Sequence, residues 1–261
     1  MWTRKIGGLV LTFYLAGINN QNFLMRDDQT GSYWQQITGA AVSGPLAGRR
    51  LTLVSSDELS FGLWVAEEPS GTVLKDVAKY APKYDKKDWE IQIQKEPTVL
   101  SFADPARGLE PRTLMLGVRA FGASRAFLFD EVIREKLVLD HVGAEPIMLV
   151  VGPDGQSVRV FRDRIPGVEG VPAFYRTFDD SQSHPKDVAW LQQAAAAPLL
   201  MDESTGGEWN FQGCALSGKA QGDCLEKVDA IKDFWFDWRN YNPNTTVYAH
   251  KEPVERPKPA D

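Results

Sequence analysis

An aspartate-led pattern occurs twice in the chain, as Asp27-Asp-Gln-Thr-Gly-Ser-Tyr-Trp34 and as Asp202-Glu-Ser-Thr-Gly-Gly-Glu-Trp209. A Gly-rich segment follows each octapeptide and matches its counterpart as well. The two octapeptides lie 175 residues apart, and the register is 174 residues afterwards. Self-similarity of this kind predicts an internal repeat. We call residues 27–51 the N-terminal motif and residues 202–225 the C-terminal motif.

Each motif is expected to form a tight turn followed by a strand. An aspartate at the start caps the backbone N–H groups of the turn, and a glycine supplies the positive φ that the turn needs. The candidate turn residues are Asp27, Thr30, Gly31, Asp202, Thr205 and Gly206. Trp34 and Trp209 then fall on the outgoing strand, where they are core residues or, alternatively, form a ligand cage.

Further elements are predicted from hydrophobic spacing and from turn residues. After each motif come a short strand, a helix that ends before a proline, and a returning Thr-Val strand. The predicted strands are 49–54 and 223–228, and the predicted helices are 57–67 and 229–241. Between the motifs, strands are predicted at 113–119, 124–129, 136–142, 146–152 and 157–162.

These elements predict a mainly β protein with short helices, an α+β fold with antiparallel sheets built as two related lobes. A truncated first repeat lobe occupies residues 1–80, a connector residues 81–110, a full second lobe residues 111–250, and a flexible Pro-rich tail residues 251–261. Only about 25 residues precede the N-terminal motif. The first lobe is therefore expected either to start further upstream than Met1 or to be completed by another protein chain, which would contact the N-terminal strand or the tail.

Composition excludes several classes of partner. Hydrophobic residues make up 43% of the 261 residues, enough for a real core, and the formal net charge is -6. An acidic chain of this kind is not expected to bind nucleic acid. No apolar run reaches the length of a membrane span. The basic start and the apolar run at 6–18 are similar to a secretion leader, but the repeat register favours a strand there, so no signal peptide is evident.

The two cysteines, Cys214 and Cys224, stand at the ends of the Gly-rich bend of the C-terminal motif. The corresponding positions of the N-terminal motif hold Ala40 and Arg50, so the fold does not need cysteine there. A pair added across a bend indicates a disulfide, which for so short a loop stabilises by about 2–3 kcal/mol. Two reduced cysteines are the alternative.

The sequence contains no recognisable catalytic constellation. There is no Gly-x-Ser-x-Gly elbow, and Asp140 and His141 are adjacent on a strand, so their side chains point to opposite faces. Three histidines and two cysteines are too few for a metal site rich in those ligands. We predict no catalytic residue, metal or cofactor. The candidate ligand-binding residues are Trp34, Trp209, Arg162 and Asp140, with Arg162 positioned to meet an anion.

The combined pattern resembles the bacterial domain of unknown function 3179 family. The resemblance rests on the two motifs, on Leu116-Gly117-Val118 with Ser124-Arg-Ala-Phe-Leu-Phe129, on Asp140-His-Val-Gly-Ala-Glu-Pro-Ile147, and on Phe234-Trp-Phe-Asp-Trp238. It covers nearly the whole chain as one truncated and one full unit. It implies a secreted or envelope-associated protein with no settled activity. Many members carry a Cys-x-x-Cys-like segment that this chain lacks, so its thiol or metal chemistry is not carried over.

Two function hypotheses follow. The first, which we favour, is a non-catalytic binding protein of the periplasm or cell envelope that takes a ligand or a partner chain. The alternative is an enzyme or a metal-dependent redox protein whose site lies between the two lobes and uses Asp, Arg and Trp side chains. The alternative predicts a cleft that contains an acid with a perturbed pKa, or a bound metal.

Overall fold

A computed structural model describes residues 1–19, 22–84, 89–93, 95–177 and 187–248. The elements of its first part are β1 (Lys5–Ile6), β2 (Leu9–Val10), β3 (Phe13–Asn19), β4 (Asn22–Asp27), β5 (Tyr33–Gln35), β6 (Ala40–Ser43), α1 (Phe61–Glu67) and α2 (Trp89–Ile93). The elements of its second part are β7 (Leu114–Ala120), β8 (Ala123–Leu128), α3 (Phe129–Glu135), β9 (Leu137–Val142), β10 (Glu145–Val151), β11 (Val158–Arg162), β12 (Phe174–Arg176), α4 (Val188–Ala196), β13 (Leu200–Asp202), β14 (Glu208–Trp209), β15 (Ala230–Phe234), α5 (Trp235–Tyr241) and β16 (Thr246–Val247).

The strands form small, mostly antiparallel sheets, which confirms the predicted mainly β class. One sheet is a meander in the order β3-β4-β5-β6, and two three-stranded sheets have the orders β11-β10-β9 and β12-β13-β14. The fourth large sheet has the order β15-β7-β8-β16, in which β16 runs parallel to β8. Strand β15, from the end of the chain, therefore covers one edge of the β7–β8 hairpin.

The five strands predicted between the motifs are present as β7 to β11, with ends within two residues of the predicted ones. They were predictable because their apolar runs are interrupted by turn residues. In β10 the side chains of Pro146–Val151 are all buried, since this strand lies in the middle of its sheet. The apolar stretch near the amino terminus forms β1, β2 and β3, in agreement with the strand interpretation.

Both helices after the motifs begin later than predicted. They start at Phe61 and at Trp235, whereas the spacing predicted starts at Asp57 and Asp229. In the second case Ala230–Phe234 is strand β15, paired along its length with β7. Its backbone hydrogen bonds go to the sheet and not to a helix. Apolar spacing does not reveal such a partner strand, and the prediction was wrong for this reason.

The other elements after the motifs are only partly present. The returning strand forms at Thr246–Val247 beside β8, but residues 72–73 are irregular and Val73 is 64% exposed. The strands predicted at 49–54 and 223–228 are reduced to isolated bridges. These bridges pair Trp2 with Leu53 and Ala40 with Arg50 in the N-terminal motif region, and Phe161 with Lys227 and Cys214 with Cys224 in the C-terminal one.

The largest core joins residues from the predicted first lobe to the rest of the chain. Helix α1 places Leu63 and Ala66 in the same buried cluster as Met148 of β10 and Leu191 of α4. Residues 61–67 therefore pack on the second half of the chain and not on the β3–β6 sheet. A separate core in the β3–β6 region consists of Leu11, Trp34, Ala41 and Leu51.

The turn has the same hydrogen bonds in both motifs. The carboxylate of Asp27 accepts hydrogen bonds from the backbone N–H of Thr30 at 2.5 Å, from its hydroxyl at 2.9 Å and from the indole N–H of Trp34 at 2.8 Å. Asp202 accepts from the corresponding groups of the C-terminal motif at 2.6, 2.5 and 2.9 Å. Each aspartate thus satisfies the turn and the buried tryptophan together.

The surroundings of the two turns match as well. Gly31 and Gly206 have φ angles of 73° and 66°, the left-handed region that favours glycine. A phenylalanine packs edge-on against each motif tryptophan, Phe13 at a centroid distance of 5.8 Å and Phe174 at 5.7 Å. Edge-to-face pairs at such distances are favourable beyond their buried area.

Replacing Asp202 with asparagine is expected to lower the free energy of unfolding by about 2 kcal/mol at pH 7, because in either orientation the amide NH2 then faces a backbone or indole N–H, which can only donate. Burial raises the pKa of Asp202, but hydrogen bonds from Thr205 and Trp209 outweigh it and hold the pKa below its ordinary value. The stabilisation is therefore present above the ordinary pKa and is lost as the pH falls through the lowered value.

Urea unfolding of wild type and variant at pH 7 and in acid measures this effect, and the difference between them should shrink in acid. Asp27→Asn is expected to act similarly in the N-terminal motif. Asp223→Asn is the matched control, because Asp223 lies exposed in the bend of the C-terminal motif. If Asp202→Asn cost no more than Asp223→Asn, the carboxylate would not stabilise the turn.

The disulfide bears on the compartment in which the chain resides. Cys214 and Cys224 form the predicted disulfide, at the same place in the bend where Ala40 bridges Arg50. Disulfides persist in oxidising environments outside the cytoplasm. Among the helices that the structure describes, none combines the length and the apolar character that a bilayer crossing requires.

Candidate functional site

A cleft of about 480 Å³ lies where β15 and α5 meet the N-terminal part of the chain. Its volume falls in the range of small-molecule sites. We call it the acidic cleft. Its lining includes Trp2, Arg4, Phe13, Asn22, Met25, Leu51, Ile231, Asp233 and Asp237. Residues from both ends of the sequence therefore build one concave surface.

Two carboxyl groups enter the cleft from neighbouring positions in the chain. Asp233 lies near the end of β15, and its Oδ1 accepts a hydrogen bond at 2.8 Å from the backbone N–H of Phe234, the residue that caps α5. Asp237 lies in the first turn of α5, and its Oδ2 accepts a hydrogen bond at 3.1 Å from the amide of Asn22. The change from strand to helix between them brings both side chains to the cleft.

One oxygen of each carboxyl group, Asp233 Oδ2 and Asp237 Oδ1, is buried without a hydrogen-bond partner among the described residues. Burial raises the pKa of Asp233 to about 8, and the charges of Asp237 and Glu58 act in the same direction. Burial also raises the pKa of Asp237, against the hydrogen bond from Asn22. Asp233 therefore keeps its proton at neutral pH.

The other walls of the cleft are mostly apolar. The indole N–H of Trp2 donates to the carbonyl oxygen of Gln36 at 2.7 Å. A Cβ atom added at Gly39 would lie only 2.7 Å from the Trp2 ring, so the glycine permits this close packing. The ring is therefore held in place, and it faces the cleft together with the apolar residues of the lining.

The nearest lysine is engaged elsewhere. Lys232 forms an ion pair with Glu58 at 3.0 Å, and its ammonium group lies 5.4 Å from the centre of the Phe129 ring. It therefore does not neutralise the two carboxyl groups. Within the described ranges, no three histidine, cysteine, aspartate or glutamate side chains come together as a metal-binding group. The cleft therefore holds two carboxyl groups in mostly apolar surroundings, of which Asp233 exchanges its proton near pH 8.

The two tryptophans predicted as candidate ligand contacts lie in the core. Trp34 and Trp209 are 0% exposed, and their indole N–H groups are bonded to the motif aspartates. Neither tryptophan lines the acidic cleft. Their place in the structure is that of packing residues.

The two charged candidates are engaged in ion pairs away from the acidic cleft. Arg162 pairs with Glu145 at 2.7 Å and with Glu226 at 3.2 Å. Asp140 pairs with Arg125. The structure places these two candidates on the β8–β11 side of the molecule, so it does not bring them together with Asp233 and Asp237.

Sequence reasoning missed the acidic pair, although one signal was present. Asp233 precedes and Asp237 interrupts an aromatic run, Asp-Phe-Trp-Phe-Asp-Trp. The helix predicted there rested on hydrophobic spacing and took no account of the two carboxylates. A carboxylate within a buried aromatic face requires a partner or a function. The nearest polar partner, Asn22, is 215 residues from Asp237 in sequence, so local spacing did not indicate it.

Comparison with known proteins gives one match. A family model described as a protein of unknown function (DUF3179) matches residues 1–245, nearly the whole chain. No curated protein and no solved structure matches the chain. The matched family description names no activity, so the geometry of the acidic cleft is the basis for a proposed function.

Proposed function

Because this chain belongs to the DUF3179 family, a family of unknown function, we propose from the site itself that it is a non-catalytic binding protein. The acidic cleft is the proposed ligand site. The observation that carries this proposal is the pair of buried carboxyl oxygens, Asp233 Oδ2 and Asp237 Oδ1, that have no partner within the described residues. Buried polar atoms are nearly always hydrogen-bonded, so a bound donor group would complete this site.

The chemistry of the lining selects the class of ligand. A protonated amine can donate to both carboxyl groups once Asp233 gives up its proton, and it compensates the charge that this leaves. The apolar lining, with Trp2, Phe13 and Met25, favours a flat or aliphatic body attached to that amine. The proposed ligand is therefore a small organic amine with an apolar group.

The compartment in which the protein resides is also a proposal. The disulfide Cys214–Cys224 supports an oxidising environment, and the family resemblance supports the bacterial envelope. We propose a periplasmic or envelope location. Formation of the disulfide in intact cells tests this: a free thiol at both cysteines in a rapid alkylation assay would contradict it.

The domain organisation is also a proposal. The two motifs share their hydrogen bonds, their aromatic neighbours and their bridges, which supports descent from one duplicated unit. We propose that a partner chain contacts β3. Strand β3 lies at the edge of its sheet, and Tyr14, Leu15 and Ile18 on it are exposed. A photo-crosslinking residue at position 14 that captured no protein in cells would contradict this. The other predicted contact, the tail 251–261, lies outside the described residues.

A second candidate function rests on the pKa of Asp233. An acid that keeps its proton near neutral pH, beside a second carboxyl group, is the arrangement of a general acid–base pair. The alternative is therefore an enzyme that moves a proton at the acidic cleft. Turnover of any ester or glycoside substrate that is lost in Asp233→Asn would support it, and turnover unchanged in that variant would reject it.

The binding proposal is tested by calorimetric titration with tryptamine and with its neutral counterpart, indole-3-ethanol. Tryptamine is expected to bind the wild type, and Asp237→Asn is expected to weaken this binding by about tenfold, the effect of losing one charge-assisted contact. Indole-3-ethanol carries the same ring without the charge and should bind far more weakly.

Asp130→Asn is the control for this titration, because Asp130 is exposed on α3 and should leave binding unchanged. Equal affinity for the amine and the alcohol would contradict the proposed role of the carboxyl pair. Tryptamine binding that Asp237→Asn leaves intact would also contradict it.

A further inference from the structure

A second concave surface is lined by residues that are all different from those of the acidic cleft. Three segments meet there: the tip of the β7–β8 hairpin, the end of β9, and the segment that follows α5. Together they line an open groove of about 990 Å³. We call it the basic groove. Its lining includes Arg119, Phe121, Arg125, Asp140, His141 and Asn244.

The basic groove carries a guanidinium group without a counterion. Arg125 is neutralised by its ion pair with Asp140. Arg119, in contrast, makes no hydrogen bond or ion pair with any side chain in the part of the chain that the structure describes. Burial lowers the pKa of Arg119, and the charge of Arg50 lowers it further. Arg119 is exposed to solvent at the groove, and in a protein with a net charge of -6 an arginine without a counterion beside a second arginine favours an anion.

An exposed aromatic ring lies beside this arginine at the tip of the hairpin. Phe121 has a φ of 51°, a left-handed conformation that is rarely adopted by bulky residues. Its ring is 40% exposed, and the guanidinium group of Arg162 lies 5.4 Å from the ring centre. Arg162 is itself held by Glu145 at 2.7 Å. The two-residue turn between Ala120 and Ala123 imposes this φ, so a bulky ring in place of asparagine or glycine costs strain, which points to a role for the ring.

We propose that the basic groove binds an organic anion that carries a flat ring. Arg119 donates hydrogen bonds to a carboxylate or phosphate group, for which a planar guanidinium is well suited. The ring of Phe121 packs against the ring of the ligand. This site is independent of the acidic cleft, since no residue lines both surfaces.

The test is an amide chemical-shift titration of the full chain with phenyl phosphate, with benzoate and with benzyl alcohol. Saturable shifts are expected at 119–125, 140–143 and 241–246 for one or both anions, and none for the alcohol. A response to phenyl phosphate alone assigns the site to phosphates, and a response to benzoate alone assigns it to carboxylates. Anions that shift no amide in these segments at millimolar concentration would overturn the proposal.

Two variants separate recognition from folding. Arg119→Gln is expected to weaken binding by about tenfold or more, whereas Arg107→Gln, at an exposed arginine that does not line the groove, is expected to leave it unchanged. Phe121→Asn is expected to weaken binding and to raise the melting temperature, because asparagine tolerates a positive φ. Unchanged affinity in Arg119→Gln, or unchanged affinity in Phe121→Asn, would overturn the proposed contacts.

Discussion

Replacing Arg159 with alanine is expected to lower the free energy of unfolding by about 3–5 kcal/mol, the usual cost of breaking a buried ion pair. The Arg159 side chain is 5% exposed and donates to Glu67 at 2.8 and 2.7 Å and to Asp57 at 3.0 and 2.8 Å. Its guanidinium group also lies 4.5 Å from the centre of the Phe211 ring. The Glu67 side chain is 6% exposed, so its charge would remain buried without a partner.

The large effect follows from where these residues lie in the chain. Glu67 ends α1 and Asp57 precedes it, whereas Arg159 is on β11. The ion pairs therefore fasten the segment that leaves the N-terminal motif to the main core. Lys227 also pairs with Asp57, at 2.6 Å, but it does not reach Glu67 among the described contacts. Loss of Arg159 thus affects a junction between distant parts of the sequence.

Urea unfolding measures this change, and Arg164→Ala is the matched control. Arg164 is 43% exposed and pairs with Glu145 at 3.4 Å, so its loss is expected to cost less than about 1 kcal/mol. The double variant Arg159→Met with Glu67→Leu should recover much of the lost stability, because apolar residues of similar volume leave no buried charge. If Arg159→Ala were no more costly than Arg164→Ala, the ion pairs would not hold this junction.

The parts of the fold that were predictable from sequence are those that local patterns determine. The motif turn is an example, because Asp202, Thr205 and Trp209 meet within eight residues. The disulfide is another, since Cys214 and Cys224 stand at the ends of one bend where the N-terminal motif has unrelated residues. Strands β7 to β11 were predictable because turn residues separate their apolar runs.

Elements that depend on a distant partner were not predictable in this way. The same Thr-Val dipeptide forms a strand at Thr246–Val247, which lies beside β8, and an irregular segment at 72–73. Residues 230–234 carry helical spacing but pair with β7. In each case the tertiary context decides the local structure, and propensity does not.

The candidate sites were missed for the same physical reason. The acidic cleft exists because Asn22 contacts Asp237 across nearly the whole length of the sequence. Asp140, which lines the basic groove, was among the predicted ligand-binding residues, but Arg119 and Phe121 become informative only when the groove and the φ angle are known. Unpaired charge and backbone strain are properties of a folded chain.

Replacing Asp233 with asparagine is expected to stabilise the protein, by several kcal/mol near pH 8 and by little near pH 4. Burial raises the pKa of this carboxyl group from 3.8 to about 8. Between pH 3.8 and about pH 8, Asp233 has lost its proton in the unfolded state but keeps it in the folded state. The free energy of unfolding therefore falls as the pH rises, by up to about 1.4 kcal/mol per pH unit, and asparagine removes this dependence.

Urea unfolding at several pH values between these limits measures the slope, with Asp130→Asn as a control that should keep the wild-type slope. If the stability of Asp233→Asn depended on pH as strongly as that of the wild type, or if the variant were less stable at every pH, burial would not be raising the pKa of this carboxyl group. Combined with the tryptamine titration, the same variant separates folding from binding. If Asp233→Asn makes the protein more stable but abolishes amine binding, then the natural protein keeps Asp233 for binding, because stability alone would favour its replacement.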